Sequence, residues 1–546
     1  MKRWFAEARF IRRPGRPLYR TLAACFGAVV ATFGSGVAAQ EPAGQWELAS
    51  QAVQRVHLSD LHGAASRIDA MEADAGETTA SLYARAQLEF HRGNYEQALE
   101  LVNASITNGA TFQGVTDLRD LLTQTIEVVG PMATYTTPSG LFEIRYDASR
   151  DEVVLPWAAE TLEAAYYEIG YDLGYWPEPP IRIELLPRAE LLARTSSLSE
   201  EAIQTSGTIA LCKYNKLLVT SPRGTARGYG WRDTISHEYV HYVVSHMVHR
   251  DLPIWLHEAL AKYLEGRWRG HRRMTMDPSR EDLLTRRVAA DNLVTFEQMH
   301  PSMAYLPSAE DASTAYAEVF TITEFLVGRR GVGSIREWLI RVRDGAELEA
   351  AFEATFGETF GGFERSWMSW LRERPPVDVP GDFEDEVELV GMSPTDGSGE
   401  GELDDEGLGS VEARDHVRLG ELLRARSMLA AAIVEYRRAE LLVGTANPRL
   451  QGALAQALLQ TDDAAGALAA VEDVRRWYPT YYPTHLRAAE ALVALQRPEE
   501  ALAALDMAVS INPFDPAVHE TFARAWELTG DAPLADRARR FASIVR

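Results

Sequence analysis

Cysteine is scarce in this sequence, with Cys25 and Cys212 the only two in 546 residues. Cys25 lies in an N-terminal segment that we expect to be removed, so Cys212 alone would remain and no intramolecular disulfide could form. Cys212 lies in the alternating run GTIALCKY, which predicts a buried strand position and an inert thiol rather than a nucleophile. The folded chain must therefore be stabilised by packing.

Basic residues are also in deficit, because 55 Lys and Arg face 79 Asp and Glu, for a net charge of −24. A nucleic-acid partner would need a basic face, so this charge argues against one. Twelve of the acidic residues fall in the segment 375–411, which contains no Lys or Arg and is rich in Pro and Gly. We predict that 375–411 is an acidic, flexible linker.

The N-terminus combines charge and hydrophobicity in the order of a secretory signal peptide. Seven Lys and Arg precede the apolar run from Leu22 to Ala39, and small residues stand before Gln40. This pattern predicts a signal peptide over 1–39 with cleavage near Ala39, and hence a secreted or periplasmic protein. Membrane anchoring is expected only if the segment stays uncleaved, since the run is short for a spanning helix.

Helical repeats are predicted at both ends of the remaining chain, which is long enough for three or four domains. The segment 44–130 alternates helical patterns with short breaks and resembles a tetratricopeptide segment. In 412–546, Pro448, Pro479 and Pro513 are spaced 31 and 34 residues apart, close to the tetratricopeptide period of about 34. From Asp415 onward the spacing predicts three helix pairs stacked as a short solenoid that binds a protein partner.

The central segment 131–374 differs, because strand-like runs such as LFEIRYD and PIRIELLP alternate with long helical patterns. This mixture predicts one α+β domain of ordinary size with a small mixed sheet. The expected architecture is an α+β domain flanked by all-α helical repeats.

Within that domain, the run TISHEYVHYVV places His237 and His241 four residues apart, with Glu238 directly after the first. On a helix the two histidines lie one turn apart on one face, so both can reach a Zn2+ at about 2.0–2.1 Å. Glu238 is rotated by about 100° from His237, so it can reach a water molecule at the metal and take its proton. The alternative is an ordinary helix with two surface histidines, and a third ligand decides between the two.

Two residues are candidates for that third ligand. His246 would complete the site of a metzincin, but on a continuous helix it points about 140° away from His241, and the glycine expected in that family is absent. Glu258 lies on a second amphipathic helix, LPIWLHEALAKYLEG, with sixteen residues between it and His241. That spacing leaves room for a loop and for a second helix beside the first.

The HExxH helix followed by Pro-x-Trp-Leu-x-Glu-x-Leu-Ala-x-Tyr resembles the gluzincin metallopeptidases of the Peptidase MA-like group. The resemblance covers roughly residues 135–370. It implies one Zn2+ per chain bound by His237, His241 and Glu258, with Glu238 as general base. Ala259 stands where that family more often has glycine.

The same resemblance yields expectations outside the ligand set. Tyr316 is expected to face the oxyanion, although its helical spacing also suits a core residue. The segment 215–223 is expected to be the strand edge that binds an extended peptide. Glu265, two turns beyond Glu258, is expected to be solvated near the end of its helix.

The sequence therefore predicts an exported zinc metallopeptidase that acts on a protein or peptide substrate. One alternative is a catalytically silent repeat scaffold, an interaction protein with a structural metallopeptidase-like domain. Another is a zinc hydrolase acting on a non-peptide amide.

Overall fold

The computed structural model describes residues 44–270, 274–380, 408 and 410–546. The segment 1–39, predicted to be a signal peptide, and most of the predicted linker 375–411 lie outside the described residues. Among those that are described, no helix is both long and apolar enough to cross a membrane.

The chain begins with five helices that pack on one another through small and aromatic side chains, among them Ala84, Ala98 and Phe90. They are α1 (Gln45–His57), α2 (Leu61–Ala75), α3 (Thr79–His91), α4 (Tyr95–Thr107) and α5 (Gln113–Val129). We refer to them as the N-terminal helices.

A mixed α and β segment follows and carries the candidate site. Its strands are β1 (Ala133–Thr136), β2 (Phe142–Tyr146), β3 (Ile181–Leu186), β4 (Ala210–Lys213) and β5 (Lys216–Thr220). Its helices are α6 (Leu155–Leu173), α7 (Glu190–Thr195), α8 (Glu200–Ser206), α9 (Trp231–Val248), α10 (Ile254–Leu264), α11 (Pro278–Ala289), α12 (Ala309–Arg330), α13 (Val332–Arg343), α14 (Leu348–Phe356) and α15 (Phe360–Arg372).

The five strands form one mixed sheet in the order β1-β2-β3-β5-β4. The central pairs β2–β3 and β3–β5 are parallel, and the outer pairs β1–β2 and β4–β5 are antiparallel. Tyr214 and Asn215 join β4 to β5, both with positive φ, as a two-residue hairpin turn requires. The small mixed sheet predicted from the sequence is confirmed.

Both faces of the sheet are covered, by different sets of helices. Leu217 and Val219 of β5 pack into the core formed with α6 and α9, whereas Leu218 packs against the N-terminal helices. Since side chains alternate between the faces of a strand, β5 is buried on both sides. The N-terminal helices are therefore part of the support of the sheet.

A buried ion pair lies on the face that the N-terminal helices cover. Lys216 and Glu184 are each about 2% exposed and their charged atoms lie 3.8 Å apart. Tyr95 of α4 donates its hydroxyl hydrogen to Glu184 and accepts a hydrogen bond from Lys216. Burial lowers the pKa of Lys216 to about 8.

The C-terminal segment contains eight helices in four antiparallel pairs, which we call the C-terminal repeats. The pairs are α16 (Val411–Ala425) with α17 (Leu429–Val443), α18 (Pro448–Leu459) with α19 (Ala464–Trp477), α20 (Tyr482–Ala494) with α21 (Pro498–Val509), and α22 (Pro516–Thr529) with α23 (Ala532–Val545). The prediction of three pairs was one pair short. The first pair, α16 and α17, ends before Pro448, the first of the three regularly spaced prolines on which the prediction was based.

Two histidines occupy equivalent places in successive repeats. The Nε2–H groups of His485 and His519 donate to the carbonyl oxygens of Pro479 and Pro513, at 3.0 and 2.7 Å. The Nδ1 atoms of both rings are buried without a partner. Burial lowers the pKa of His485 to about 4, so the ring is neutral in the folded repeats at neutral pH.

Acidification is therefore expected to destabilise the C-terminal repeats. In the unfolded chain His485 has a pKa of about 6.5, so between pH 6.5 and 4 the unfolded state binds more protons than the folded state, and the free energy of unfolding falls by up to about 1.4 kcal/mol per pH unit. Thermal unfolding at pH 7 and pH 5 should show a smaller difference in His485→Gln than in the parent. The exposed His62 provides the control, since His62→Gln should behave as the parent does. An unchanged pH dependence in His485→Gln would contradict this expectation.

Candidate metal centre

The predicted histidine pair lies on α9, which spans the core beside the sheet. Ile235, Tyr239 and Val243 recur at helical spacing and are all buried, which explains why this segment is a helix held against β4 and β5. His237 and His241 lie one turn apart, with side chains 13% and 15% exposed. Their Nε2 atoms are 3.1 Å apart and face a common point.

Glu258 reaches the same point from α10. The chain leaves α9 at His249, a left-handed residue with φ of 51°, and Pro253 starts the next helix. Glu258 Oε2 lies 3.3 Å from His237 Nε2, and Oε1 lies 3.7 Å from His241 Nε2. The structure thus brings together the three residues that the sequence predicts as ligands.

These separations fit a tetrahedral metal ion. Ligand atoms held at about 2.0–2.1 Å from a tetrahedral zinc ion are roughly 3.3 Å from one another. Glu258 Oε2 is also buried without a hydrogen-bond donor, although a buried carboxylate requires a compensating partner. Among the described residues, no other group of three or more His, Cys, Asp or Glu side chains is close enough to share an ion. Two imidazoles and one carboxylate are a ligand set that catalytic zinc sites use.

The electrostatics of the cluster also favour a cation. Burial opposes charge on His237, but the neighbouring carboxylates of Glu258 and Glu265 outweigh it and raise the pKa of His237 to about 10. Burial likewise opposes charge on Glu258, but His241 and His237 hold the pKa of that carboxyl at about 2. Burial lowers the pKa of His241 to about 3, so this ring keeps a free lone pair. The two carboxylates thus favour a positive charge in this cluster, which is either a proton on His237 or a metal ion in its place.

Glu265 supports His237 from the opposite side of the ring. Its Oε2 lies 3.0 Å from His237 Nδ1, and its Oε1 accepts a 2.6 Å hydrogen bond from Lys262. The expectation that Glu265 is solvated was wrong, because its side chain is only 19% exposed. Seven residues are about two helical turns, so Glu265 and Glu258 share the face of α10 that lies along α9. A carboxylate on Nδ1 fixes the ring tautomer that presents a lone pair at Nε2.

Glu238 contacts the sheet beside the ligand cluster. It is 7% exposed, and its carboxylate accepts a hydrogen bond from the backbone N–H of Cys212 in β4. Burial raises the pKa of Glu238 to about 7. The thiol of Cys212 is half-buried, and burial raises its pKa well above the usual value, so the thiol stays protonated.

The strand edge beside the site is β4 and not the segment 215–223, so that prediction was wrong. β5 lies inside 215–223 and pairs with β3 on one side and β4 on the other. The amide of Thr220 donates to the carbonyl of Ile209, which by antiparallel alternation points the backbone groups of Ala210 and Cys212 away from β5. The pattern of apolar residues is the same for an edge strand and its neighbour, so only the pairing distinguishes them.

Tyr316 lies on α12, which packs on α10. Its side chain is half-buried, and the negative charge of Glu258, followed by burial and by Glu238, raises the pKa of its hydroxyl well above the usual value. The hydroxyl thus lies within electrostatic range of the carboxylates of the site. The ammonium of Lys262 lies 6.0 Å from the centre of its ring.

Other histidines near the motif are placed away from the ligand point. His246 hydrogen-bonds through Nδ1 to the carbonyl of Tyr242 and through Nε2 to Asn215. The ring of His257 lies 5.6 Å from that of His241, and burial lowers the pKa of His257 to about 4. His246 is thus not a ligand, as its direction on the helix predicts.

Comparison with known families assigns two parts of the chain. Residues 170–373 match the model described as Peptidase MA superfamily, and residues 458–525 match the model described as tetratricopeptide repeat. The first range contains the HExxH motif and Glu258. The resemblance to the Peptidase MA-like group and the presence of tetratricopeptide-like repeats in the C-terminal segment are confirmed.

Comparison with whole proteins adds little. No curated protein matches the chain. Native leukotriene A4 hydrolase from Saccharomyces cerevisiae is 12% identical, with 76% of this chain and 66% of that chain covered and a TM-score of 0.29. The crystal structure of MamA is 16% identical, with 24% of this chain and 77% of that chain covered and a TM-score of 0.23. Both TM-scores are below 0.5, too low to support an argument about this chain.

Removal of the Glu265 carboxylate is expected to weaken the metal site without abolishing it. Glu265→Ala frees the ring of His237, and loss of such a supporting carboxylate typically costs about 10–100-fold in metal affinity. Competition with a chromophoric chelator measures the zinc affinity of the variant and of the parent. Glu349→Ala, which removes an exposed glutamate on α14, is the control, and equal affinities in all three proteins would refute the supporting role.

Proposed function

We propose that this protein is exported and that its Peptidase MA domain is a zinc-dependent peptidase that hydrolyses peptide bonds. The observation that carries the proposal is the convergence of His237, His241 and Glu258 on one point, with the buried Glu238 carboxylate on the adjacent face of α9. A zinc ion bound there supplies Lewis-acid chemistry, because it lowers the pKa of a water molecule toward about 7 and polarises a carbonyl group.

Glu238 is the proton carrier of the proposed reaction. Its carboxylate takes a proton from the attacking water as the oxygen adds to the scissile carbonyl, and it then gives that proton to the departing amine. A pKa of about 7, raised by burial, suits a group that must both accept and release a proton near neutral pH. The hydrogen bond from the Cys212 amide holds the carboxylate in place.

The proposed substrate is a peptide in extended conformation that adds to β4. The backbone groups of Ala210 and Cys212 point outward from the sheet. The N–H of Cys212 is taken by Glu238, so a peptide can pair by strand addition with the N–H of Ala210 and with the carbonyl groups of both residues. The Cys212 amide bonds Glu238, which places the paired peptide beside the proton carrier. Affinity would come from main-chain hydrogen bonds, and selectivity from pockets for alternate side chains.

Tyr316 is proposed to donate a hydrogen bond to the oxygen that gains negative charge during attack. Its hydroxyl stays protonated because the neighbouring carboxylates raise its pKa, so it is available as a donor. A donor fixed in advance at the developing charge stabilises the transition state more than the ground state.

Two further features of the proposal come from the sequence. The N-terminal pattern of 1–39 supports export to the periplasm or the exterior, and the helical repeats support binding of a protein partner. The net charge of −24 disfavours nucleic acid as that partner.

Substitution of Glu238 and of Glu258 should have different consequences. Glu238→Gln keeps a side chain of the same shape and should retain zinc while losing about 10²–10⁴-fold in kcat. Glu258→Ala removes a ligand and should lose the zinc itself. Elemental analysis and a peptide cleavage assay test both variants.

In the parent chain, one zinc per chain is expected under metal-replete conditions. Full turnover by Glu238→Gln would refute its role as proton carrier. Absence of zinc from the parent would favour the alternative of a catalytically silent repeat scaffold. A panel of peptide and muropeptide substrates separates peptide hydrolysis from hydrolysis of other amides.

Tyr316→Phe should lower kcat by about 10²–10³-fold with little change in KM, since removal of one oxyanion donor affects the transition state alone. Zinc content should stay at one per chain because Tyr316 is not a ligand. Tyr305→Phe is the matched control, because Tyr305 is exposed outside α12. A kcat for Tyr316→Phe within twofold of the parent would show that Tyr316 is a packing residue.

A further inference from the structure

The start of α9, the helix that carries both histidines, is in contact with the C-terminal repeats. The indole Nε1–H of Trp231 donates to the carbonyl of Val509 at 2.9 Å, and the amide of Tyr229 donates to the carbonyl of Ile511 at 3.1 Å. Val509 is the last residue of α21 and Ile511 follows two residues later, where carbonyl groups have no partner within the helix. The two segments thus complete each other's hydrogen bonding.

An ion pair between a buried arginine and a half-exposed aspartate crosses the same junction. The side chain of Arg232 is 0% exposed, and its Nη1 donates to Asp506 Oδ1 of α21 at 2.8 Å. Its Nε donates to Thr161 Oγ1 at 2.7 Å, and its guanidinium stacks on Trp268 with the ring centre 4.0 Å away. Of the side chains that neutralise or bond this guanidinium, Asp506 alone comes from the repeats.

The positive charge of Arg232 needs these partners because it lies at the N-terminal end of a helix. Arg232 is the second residue of α9, where the helix dipole is positive and repels a cation. Its Nη2 lies 3.3 Å from Glu160 Oε2 but makes no hydrogen bond. A buried charge that loses a partner destabilises its surroundings, so the bond to Asp506 helps to hold the first turn of α9 in place.

The junction leaves no space for a side chain at Gly228. Gly228 has φ of 77°, and a Cβ at this position would lie 2.2 Å from the carbonyl oxygen of Ile511. Side chains rarely adopt that backbone conformation, and the carbonyl is part of the backbone, so neither partner can yield cheaply. Position 228, in the loop before α9, therefore accommodates only glycine while this contact with Ile511 is kept.

The junction is mechanically connected to the metal centre through one continuous helix. Arg232 and His237 are five residues apart on α9, roughly 7.5 Å along the axis at 1.5 Å per residue. Metal ligands must be held to within about 0.5 Å of their productive geometry. A shift of α21 that moves the first turn of α9 by more than this tolerance would misplace His237 and His241.

We propose that Asp506 and the C-terminal end of α21 position the metal-bearing helix, so that the C-terminal repeats are part of the support of the metal centre. Asp506 is a positioning residue that acts through Arg232 and touches no reacting atom. A protein that binds the repeats and moves α21 would change the geometry of the ligands. The inference rests on the proposed function in so far as the ligands hold zinc.

The test uses the full chain and perturbs the junction from both sides. Asp506→Ala leaves the guanidinium of Arg232 without its partner from α21, whereas Gly228→Ala pushes α21 away without changing any charge. Zinc affinity is measured by competition with a chromophoric chelator. Amide hydrogen exchange is measured over residues 231–241 of α9, with residues 311–330 of α12 as the internal reference. Both variants should bind zinc at least about tenfold more weakly and exchange faster in α9 alone.

Two further variants separate positioning from a general loss of stability. Asp506→Asn keeps an acceptor for Arg232 Nη1 and should lose less zinc affinity than Asp506→Ala. Arg232→Met combined with Asp506→Ala removes the unpaired charge as well and should recover most of the affinity. Asp473→Ala removes another acidic residue of the repeats, from an exposed pair with Arg476 on α19, and should leave zinc affinity and exchange unchanged.

Zinc affinity and α9 exchange equal to the parent in both Asp506→Ala and Gly228→Ala would overturn the proposal. A lower melting temperature with unchanged zinc affinity would also overturn it, since this result would mean that the junction stabilises the fold without positioning the ligands. If the parent binds zinc but cleaves no peptide, the proposed function fails while both readouts still test the junction. If the parent binds no zinc, amide exchange of residues 231–241 is the remaining test. Faster exchange in the two variants then supports the positioning of α9, and unchanged exchange overturns it.

Discussion

A carboxylate buried beside two imidazoles is the constraint on which the site depends. Glu258 lies within 3.3–3.7 Å of His237 and His241 and cannot stay charged there without a cation or a shared proton. The packing of α10 along α9 creates this arrangement, and Glu265 extends it to the far nitrogen of His237. Across the two helices the charged groups alternate from the Glu258 carboxylate through the His237 imidazole and the Glu265 carboxylate to the Lys262 ammonium. A metal ion beside Glu258 would complete this alternation.

The two helical segments at the ends of the chain are integrated into this domain. The N-terminal helices cover one face of the sheet and bury Lys216 against Glu184 and Tyr95. The C-terminal repeats contact the other side, at the first turn of α9. Both therefore have a structural role as well as any role in binding a partner.

The sequence predicted the site better than its surroundings. His237, His241 and Glu258 could be found because the helical period places the first two on one face, and because the second helix contains a recognisable pattern. The role of Glu265 depends on how α10 lies along α9, and the identity of the edge strand depends on sheet pairing. The junction at Asp506 joins residues more than 270 positions apart. No local period encodes such contacts, so only the tertiary structure reveals them.

The free edge at β4 also bears on how the folded chain avoids aggregation. An exposed strand edge is a template for pairing with other chains, and short edge strands reduce that risk. β4 is four residues long, and Glu238 already occupies the outward N–H of Cys212. A foreign strand would have to compete with a buried carboxylate for that donor. The same side chain that is proposed to carry the proton thus also limits self-association through the open edge of the sheet.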